Sequence, residues 1–372
     1  MGATMKLILS PCGTSILTNL ANPYERKLVF DYANATELLE GEAKNILTGV
    51  VSRAEETLSK ALPQEASKLS AEINGIFHIY DGDFSKGKND VHILLATDTV
   101  LGRETAFMVK KWLVGQGIRH VEMWDDFSGL RTDSVENFHL AIAELARRLA
   151  KVIPEYKNSR YRIIFNLTGG FKSIQGVLQT FAQFYADEAV YIFETGKELL
   201  RIPKIPVSLD VSSIERNLRI WRRLSLGLKV NVDECQEIPD IFLLMVDNDV
   251  TLSPWGELVW GNVKREIYEK RLWDPPSDRI KIRSQRFERE VNDLPKDRRY
   301  EINKRMDELA LHLEKEDHPN PKSLNCHKLS GDPVQGCTHE IYAWSDGDAR
   351  RIFGICKGHR EFEIVELEKH LK

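Results

Sequence analysis

The stretch Asn166-Leu167-Thr168-Gly169-Gly170-Phe171-Lys172-Ser173 lies where an apolar run over residues 161–168 gives way to a helical pattern over residues 171–185. An apolar strand, a glycine turn and a helix, in that order, are the parts of a parallel-sheet crossover. Outward from this point the same alternation recurs. Residues 6–10 form a short apolar strand. Residues 36–61 have helical spacing, with Leu38, Leu39, Ile46, Leu47, Val50 and Leu58 as an apolar stripe. Strands follow at 91–96 and 121–125, with a helix near 103–114 between them. A helix over 134–152 carries Leu140, Ile142, Leu145 and Leu149, and a strand over 189–194 closes the series. Strands apolar on both faces and separated by helices imply a parallel α/β sheet covered on two sides.

The chain has 372 residues, of which 42% are hydrophobic and 29% charged, a balance that fits a globular fold and excludes a disordered one. The length suggests two or three domains. A formal net charge of −4 gives no global signature of a nucleic-acid binder, so any basic surface must be local. Five cysteines, odd in number and without C-x-x-C pairs, argue against a disulfide framework and for a reducing compartment. The apolar run at Leu7–Leu9 is too short for a signal segment, and no stretch approaches the roughly 18 apolar residues of a membrane span. The expected location is cytoplasmic.

Composition changes near Pro203 and Pro206, and again after Trp273-Asp274-Pro275-Pro276, which divides the chain into 1–205, 206–278 and 279–372. Ser212-Ser213-Ile214-Glu215 resembles a capping box opening a helix through Leu226. Short mixed elements follow at 238–247, 252–259 and 263–269. Residues 252–261, LSPWGELVWG, read as a turn with a wing-like hairpin, so the middle segment resembles a winged helix-turn-helix. Its helix carries Arg216, Arg219, Arg222 and Arg223, either as a solvated basic face or as a nucleic-acid face. Trp221 and Trp255 are expected in the core. From Arg279 a charged amphipathic helix at 298–314 precedes a run of short strands, and six of the ten histidines lie in this last part.

Ligands of doubly wound sheets bind at the open ends of the parallel strands. Two such ends carry polar glycine loops here, Ser10-Pro11-Cys12-Gly13-Thr14-Ser15 and residues 166–173. Glycine lets backbone N–H groups approach a ligand, a helix N-terminus favours an anion, and Thr168 and Lys172 can add contacts. A third loop, Thr97-Asp98-Thr99, could touch sugar or base. The second loop is not a Walker A motif, because Phe171 precedes Lys172 and Asn166 stands where its first glycine belongs. Taken alone, the Gly-Gly pair fits a tight strand-to-helix turn as well as a phosphate-binding crevice. The pair SPCGTSILTN and NLTGGFKSIQG resembles the CARF family of CRISPR-associated Rossmann-fold sensors over about the first 205 residues. That resemblance implies a homodimer binding one cyclic oligoadenylate, with cyclic tetra-adenylate the commonest ring. It puts Gly13, Thr14 and Ser15 in one ligand loop and Thr168, Gly169, Gly170 and Lys172 in the other, while Thr97 and Asp98 remain candidates from their strand-end position alone.

The last part carries no metal-nuclease motif. Cys326, His327, Cys337, His339, Cys356 and His359 lack zinc-ligand spacing, so no metal and no cofactor are expected. Metal-free RNA cleavage needs a base, an acid and cations for the charge developing on phosphorus. Histidine, lysine and arginine can supply these roles. The order of a helix pair, HKLSG, THEIYAWSDGDARRIFGI and a terminal strand ending ELEKHLK is similar to the RelE family of ribosome-dependent mRNA interferases. By match to that family Lys328 and Arg351 would stabilise phosphate, Lys369 and His370 would close the last strand, and His327, His339 and His370 are the proton-transfer candidates. Over residues 279–372 Lys and Arg exceed Asp and Glu by only about one, which is less basic than such toxins. The whole chain thus resembles CRISPR-associated mRNA interferases: a CARF sensor, a winged-helix connector and an α+β RelE-like nuclease acting on ribosomal A-site mRNA. The competing readings are a ligand-responsive transcription regulator and a ring nuclease that cleaves its own ligand.

Overall fold

The computed structural model describes residues 4–37, 41–193, 198–206, 208–247, 249–330, 334–358 and 360–369. Leu38 and Leu39 of the expected stripe lie outside them, as do His359 and His370. The fold is mixed α/β and divides into two compact units, Met1–Ser208 and Leu209–Lys372. Among the described residues no helix is long and apolar enough to cross a membrane.

The first unit opens with β1 (Lys6–Pro11), α1 (Ser15–Leu20), α2 (Pro23–Asp31), α3 (Glu42–Lys60), α4 (Pro63–Leu69) and α5 (Ala71–Ile79). It continues with β2 (Val91–Leu95), α6 (Val100–Gly115), β3 (His120–Trp124), α7 (Val135–Asn158), β4 (Arg162–Asn166), α8 (Lys172–Tyr185), β5 (Glu188–Ile192) and β6 (Leu199–Pro203). The sheet order is β3-β2-β1-β4-β5-β6. All neighbours are parallel except β5 and β6. Leu7, Ile8 and Leu9 of β1 are completely buried, as expected for a central strand covered on both faces. Chain order reverses between β1 and β4, so their carboxyl ends flank the switch point where such sheets bind ligands.

Two expectations change here. The helix placed at 36–61 begins at Glu42, and the sheet does not end at β5, because β6 adds an antiparallel edge strand. Helices α1, α2, α4 and α5 are short and were not foreseen; tertiary packing stabilises them where local periodicity is too brief to register.

The second unit starts with α9 (Val211–Arg216) and α10 (Leu218–Ser225), continues through the hairpin β7 (Leu243–Val246) and β8 (Asp249–Leu252), and reaches α11 (Pro254–Lys270). Then come β9 (Ile280–Ile282), α12 (Gln285–Asp293), α13 (Lys296–Glu314), β10 (His327–Lys328), β11 (His339–Trp344), β12 (Arg350–Lys357) and β13 (Glu361–Lys369). The second sheet has the order β10-β11-β12-β13-β9. Its neighbours are antiparallel except β13 and β9. Helices α12 and α13 pack on one sheet face through Phe287, Val291, Ile302 and Met306, against Ile341, Ile352, Ile364 and Leu367.

The middle segment departs from the sequence reading. LSPWGELVWG is no hairpin. Ser253 caps a 17-residue helix by accepting from Gly256 N, and Pro254 occupies its first turn, where a missing N–H costs nothing. The hairpin lies just before it, at β7–β8. The expected cap near Ser212 falls on Asp210, and Asn217 splits the expected single helix in two.

The arginine helix is not a free basic face. Arg222 is fully buried, donating to Asp307 Oδ1 at 2.8 Å, to the Asp274 carbonyl at 2.6 Å and to the Asn303 carbonyl at 3.1 Å. Asp307 also accepts from Tyr268 Oη at 2.6 Å and lies 3.1 Å from Lys264 Nζ. Arg223 grips both oxygens of Glu314, and Arg219 pairs with Asp278. Trp221 is core and Trp255 is half-buried.

Candidate functional site

In the first unit a cavity of about 360 Å³ opens at the carboxyl ends of β1, β2 and β4. Gly13, Thr14 and Ser15 line it from the first loop. Thr168, Gly169, Gly170, Phe171 and Lys172 line it from the second, and Thr97 and Thr99 from the third. Residues about 150 apart in sequence are thereby brought to one space by adjacent parallel strands. Asp98 is not part of the lining. Its carboxylate accepts from Arg103 at 2.9 Å, from Arg131 at 2.7 Å and from the Gly129 amide at 2.8 Å. It thereby fixes Arg131, which does line the cavity.

The glycine amides are already engaged. Glu72, on α5 and 1% exposed, accepts from Gly13 N at 2.8 Å and Gly170 N at 3.3 Å through Oε1. Through Oε2 it accepts from Ser15 Oγ at 3.2 Å and Ser70 Oγ at 2.7 Å. Four donors fill a carboxylate's acceptor sites. The anion at the floor of the loops is therefore one of the chain's own side chains. Gly169 must be glycine because a Cβ there would overlap Glu72 Oε1, and Gly170 because its φ is +86°. Burial, and then the Glu72 charge, push the Cys12 thiol well above its ordinary pKa, so this cavity-lining sulfur stays protonated.

Donors remain elsewhere in the cavity. Thr168 Oγ1 is buried without a hydrogen-bond partner among the described residues. Lys172 is exposed and, among the described residues, has no carboxylate partner. It begins α8, a helix of 14 residues whose N-cap, Phe171, has no side chain that could satisfy the first amides. Positive charge, an orphan hydroxyl and free amides at one helix N-terminus are the ingredients of an anion site. Sequence reasoning missed Glu72, Arg131 and Phe30, which all line this space. The signal for Glu72 was faint: one acid within a largely apolar helix, two residues after a capping serine.

In the second unit the strand register sorts the candidates by face, because directly paired residues project to the same side. His327 pairs with Glu340, Glu340 with Phe353, and Tyr342 with Arg351. These five share the face away from α12 and α13. Lys328 pairs with His339, next to the helix-covered residues Ile341 and Ile352. His327 and Arg351 are thus brought together, while Lys328 and His339 lie on the other side. Lys369 is paired with Arg350, not Arg351, and its amine lies 3.7 Å from Asp348. His370 falls outside the described residues.

On the open face the His327 Nδ1 lies 2.8 Å from the Asn325 carbonyl and its Nε2 3.1 Å from Glu340 Oε1. Both partners are acceptors, so a ring nitrogen that carries a proton donates to the one it faces. Tyr342 stands edge-on to His327, ring centroids 6.4 Å apart, and the Arg351 guanidinium lies over the Tyr342 ring at 3.6 Å. Arg351 is buried. Its Nη1 donates to the carbonyls of Trp344 and Arg350, and its Nε has no partner among the described residues. On the opposite face, partial burial, then the charges of Lys328 and His327, hold His339 below the ordinary histidine pKa. Among the described residues no three His, Cys, Asp or Glu side chains gather as a metal site.

Comparison with known proteins adds one finding. Residues 67–205 match the model of a family described as CRISPR-associated protein (Cas_APE2256). The matched stretch runs from α4 to β6, so it takes in Glu72 and the second glycine loop but not the first. No curated protein matches the chain.

Proposed function

We propose that this chain is a CRISPR-associated effector in which a cyclic oligoadenylate, cyclic tetra-adenylate in the first instance, binds the N-terminal unit and licenses RNA cleavage by the C-terminal unit. The observation that carries this reading is the cavity at the β1/β4 switch point, with Lys172, Thr168 and the uncapped start of α8 facing one space. The family match over residues 67–205 supports the CRISPR context. A ring ligand of repeated nucleotides suits a homodimer, in which two copies of one crevice face each other.

The chemistry proposed for the second unit is transesterification within mRNA on the ribosome. The ribose 2′-oxygen loses its proton to a base and attacks the adjacent phosphorus. The bond from phosphorus to the 5′-oxygen breaks, and that oxygen takes a proton from an acid. The products are a 2′,3′-cyclic phosphate and a 5′-hydroxyl. On the face that joins His327, Glu340, Tyr342 and Arg351, His327 would carry a proton, a role supported by its 3.1 Å contact with Glu340, which would orient the ring. Arg351 would supply positive charge to the phosphorane. Activation requires the ligand to bind the active arrangement more tightly than the resting one.

The regulator reading loses support, because three of the four arginines of its proposed DNA-facing helix are paired within the unit. The deciding experiment incubates mRNA with ribosomes and the full-length protein, with and without cyclic tetra-adenylate. Cleavage that depends on the ligand is expected and should leave 2′,3′-cyclic phosphate ends. DNA binding with no cleavage would replace this function with the regulator.

A further inference from the structure

One wall of the N-terminal cavity is built by neither glycine loop. Phe30, Ala33 and Asn34 supply it, from the end of α2 and the turn after it. Phe30 is 62% exposed, although the adjacent Val29 is completely buried, so a large aromatic ring stands open beside polar hydroxyls. Asn34 Oδ1 accepts from Thr132 N and from Thr132 Oγ1, both at 3.0 Å. A backbone N–H can only donate, which fixes which end of the amide is oxygen. The Asn34 Nδ2 group is left with its donors unpaired among the described residues. Thr132 follows Arg131, which Asp98 holds in place, so the wall is braced from a second loop.

From this we infer that Phe30 and Asn34 form a purine seat, with the base stacked on Phe30 and a ring nitrogen accepting from Asn34 Nδ2. This rests on reading the cavity as a nucleotide site and adds which part of the nucleotide is read there. Stacking on an aromatic side chain is available to any base, but a purine offers the larger face. Purine N7 is an in-plane acceptor for an amide donor. Lys172 and the start of α8, on the other loop, remain for the phosphate. Base and phosphate are then read by separate elements, and α2 determines which base is accepted.

The test is calorimetry on the full-length protein with two rings of equal charge, cyclic tetra-adenylate and cyclic tetra-uridylate. Wild type is expected to prefer the adenylate ring. Phe30→Ala should weaken adenylate binding about five- to 150-fold for each base that loses its stack and bring the two affinities together, while Phe30→Trp keeps the preference. Asn34→Asp retains the oxygen that Thr132 needs but removes the donors. Its added charge repels both rings alike, so the preference should still narrow. If wild type prefers adenylate and both Phe30→Ala and Asn34→Asp keep that preference, the seat is wrong while the nucleotide site stands. A loss on Phe30→Ala shared equally by both rings also overturns the seat. Wild type binding neither ring overturns the nucleotide reading itself.

Discussion

Replacing Glu72 with alanine should loosen the cavity floor. The variant removes the acceptor of four donors. The Gly13 amide at 2.8 Å and the Gly170 amide at 3.3 Å have no freedom to turn elsewhere, whereas the Ser15 and Ser70 hydroxyls can rotate to new partners. A buried donor left unpaired costs about 1–3 kcal/mol. Counting the short contact in full and the long one in part gives roughly 2–4 kcal/mol, reduced somewhat because a buried charge no longer has to be desolvated. For a unit of about 200 residues each kcal/mol moves the midpoint about 2–4 °C, so a fall of about 4–16 °C, less that reduction, is expected. Glu72→Gln keeps one oxygen for the two amides and offers its NH2 to hydroxyls that can accept, so it should cost less than half as much. Thermal unfolding followed by circular dichroism measures both, and hydrogen exchange at Gly13 and Gly170 localises the effect. If Glu72→Ala melts within about 2 °C of wild type and those amides stay protected, the carboxylate does not hold the loops together.

Gly169→Ala should destabilise by about 1–3 kcal/mol, because the new Cβ overlaps Glu72 Oε1. Combined with Glu72→Ala its cost should shrink, and strict additivity in the double-mutant cycle would contradict the clash. Lys172→Ala should weaken cyclic tetra-adenylate binding roughly ten- to 100-fold and leave the melting temperature unchanged, since Lys172 is exposed and unpaired among the described residues. His327→Ala should lower ribosome-dependent cleavage by about 10²–10⁴, while His339→Ala, on the other sheet face, stays within a few-fold of wild type; equal losses would refute the one-face assignment. Asp307 links stability to pH. Burial alone would raise its pKa, but Arg222, Lys264 and the Tyr268 hydroxyl outweigh burial and hold it below the ordinary 3.8. Its contribution is therefore complete above about pH 4 and fades as pH falls through the lowered value. Asp307→Asn should cost about 3–5 kcal/mol at pH 7 and flatten that acid limb, as read from urea unfolding at several pH values.

The amino-acid sequence alone determined the central parallel strands and the helix after the Gly-Gly turn. Their apolar runs are long, and their strand–turn–helix order recurs through the first 190 residues. It also put Gly13–Ser15 and Thr168–Lys172 on the same edge, since both follow strands of one parallel sheet, but that they meet rests on β1 and β4 being neighbours. Residues 252–261 read as a hairpin because their Trp, Leu and Val suit a strand as well as a helix, and packing against the rest of the second unit settles them as α11, capped by Ser253. Tertiary structure alone decided the use of each charge. Arg222 and Arg223 look solvated until Asp307 and Glu314, 85 and 91 residues away, supply their partners, and Arg222 is thereby buried. The glycine amides look vacant until α5 delivers Glu72. Two histidines on neighbouring strands look equivalent until the register sends them to opposite faces. Hydrophobic spacing is a local property that survives in one dimension, whereas a polar group's role depends on which partner reaches it in three.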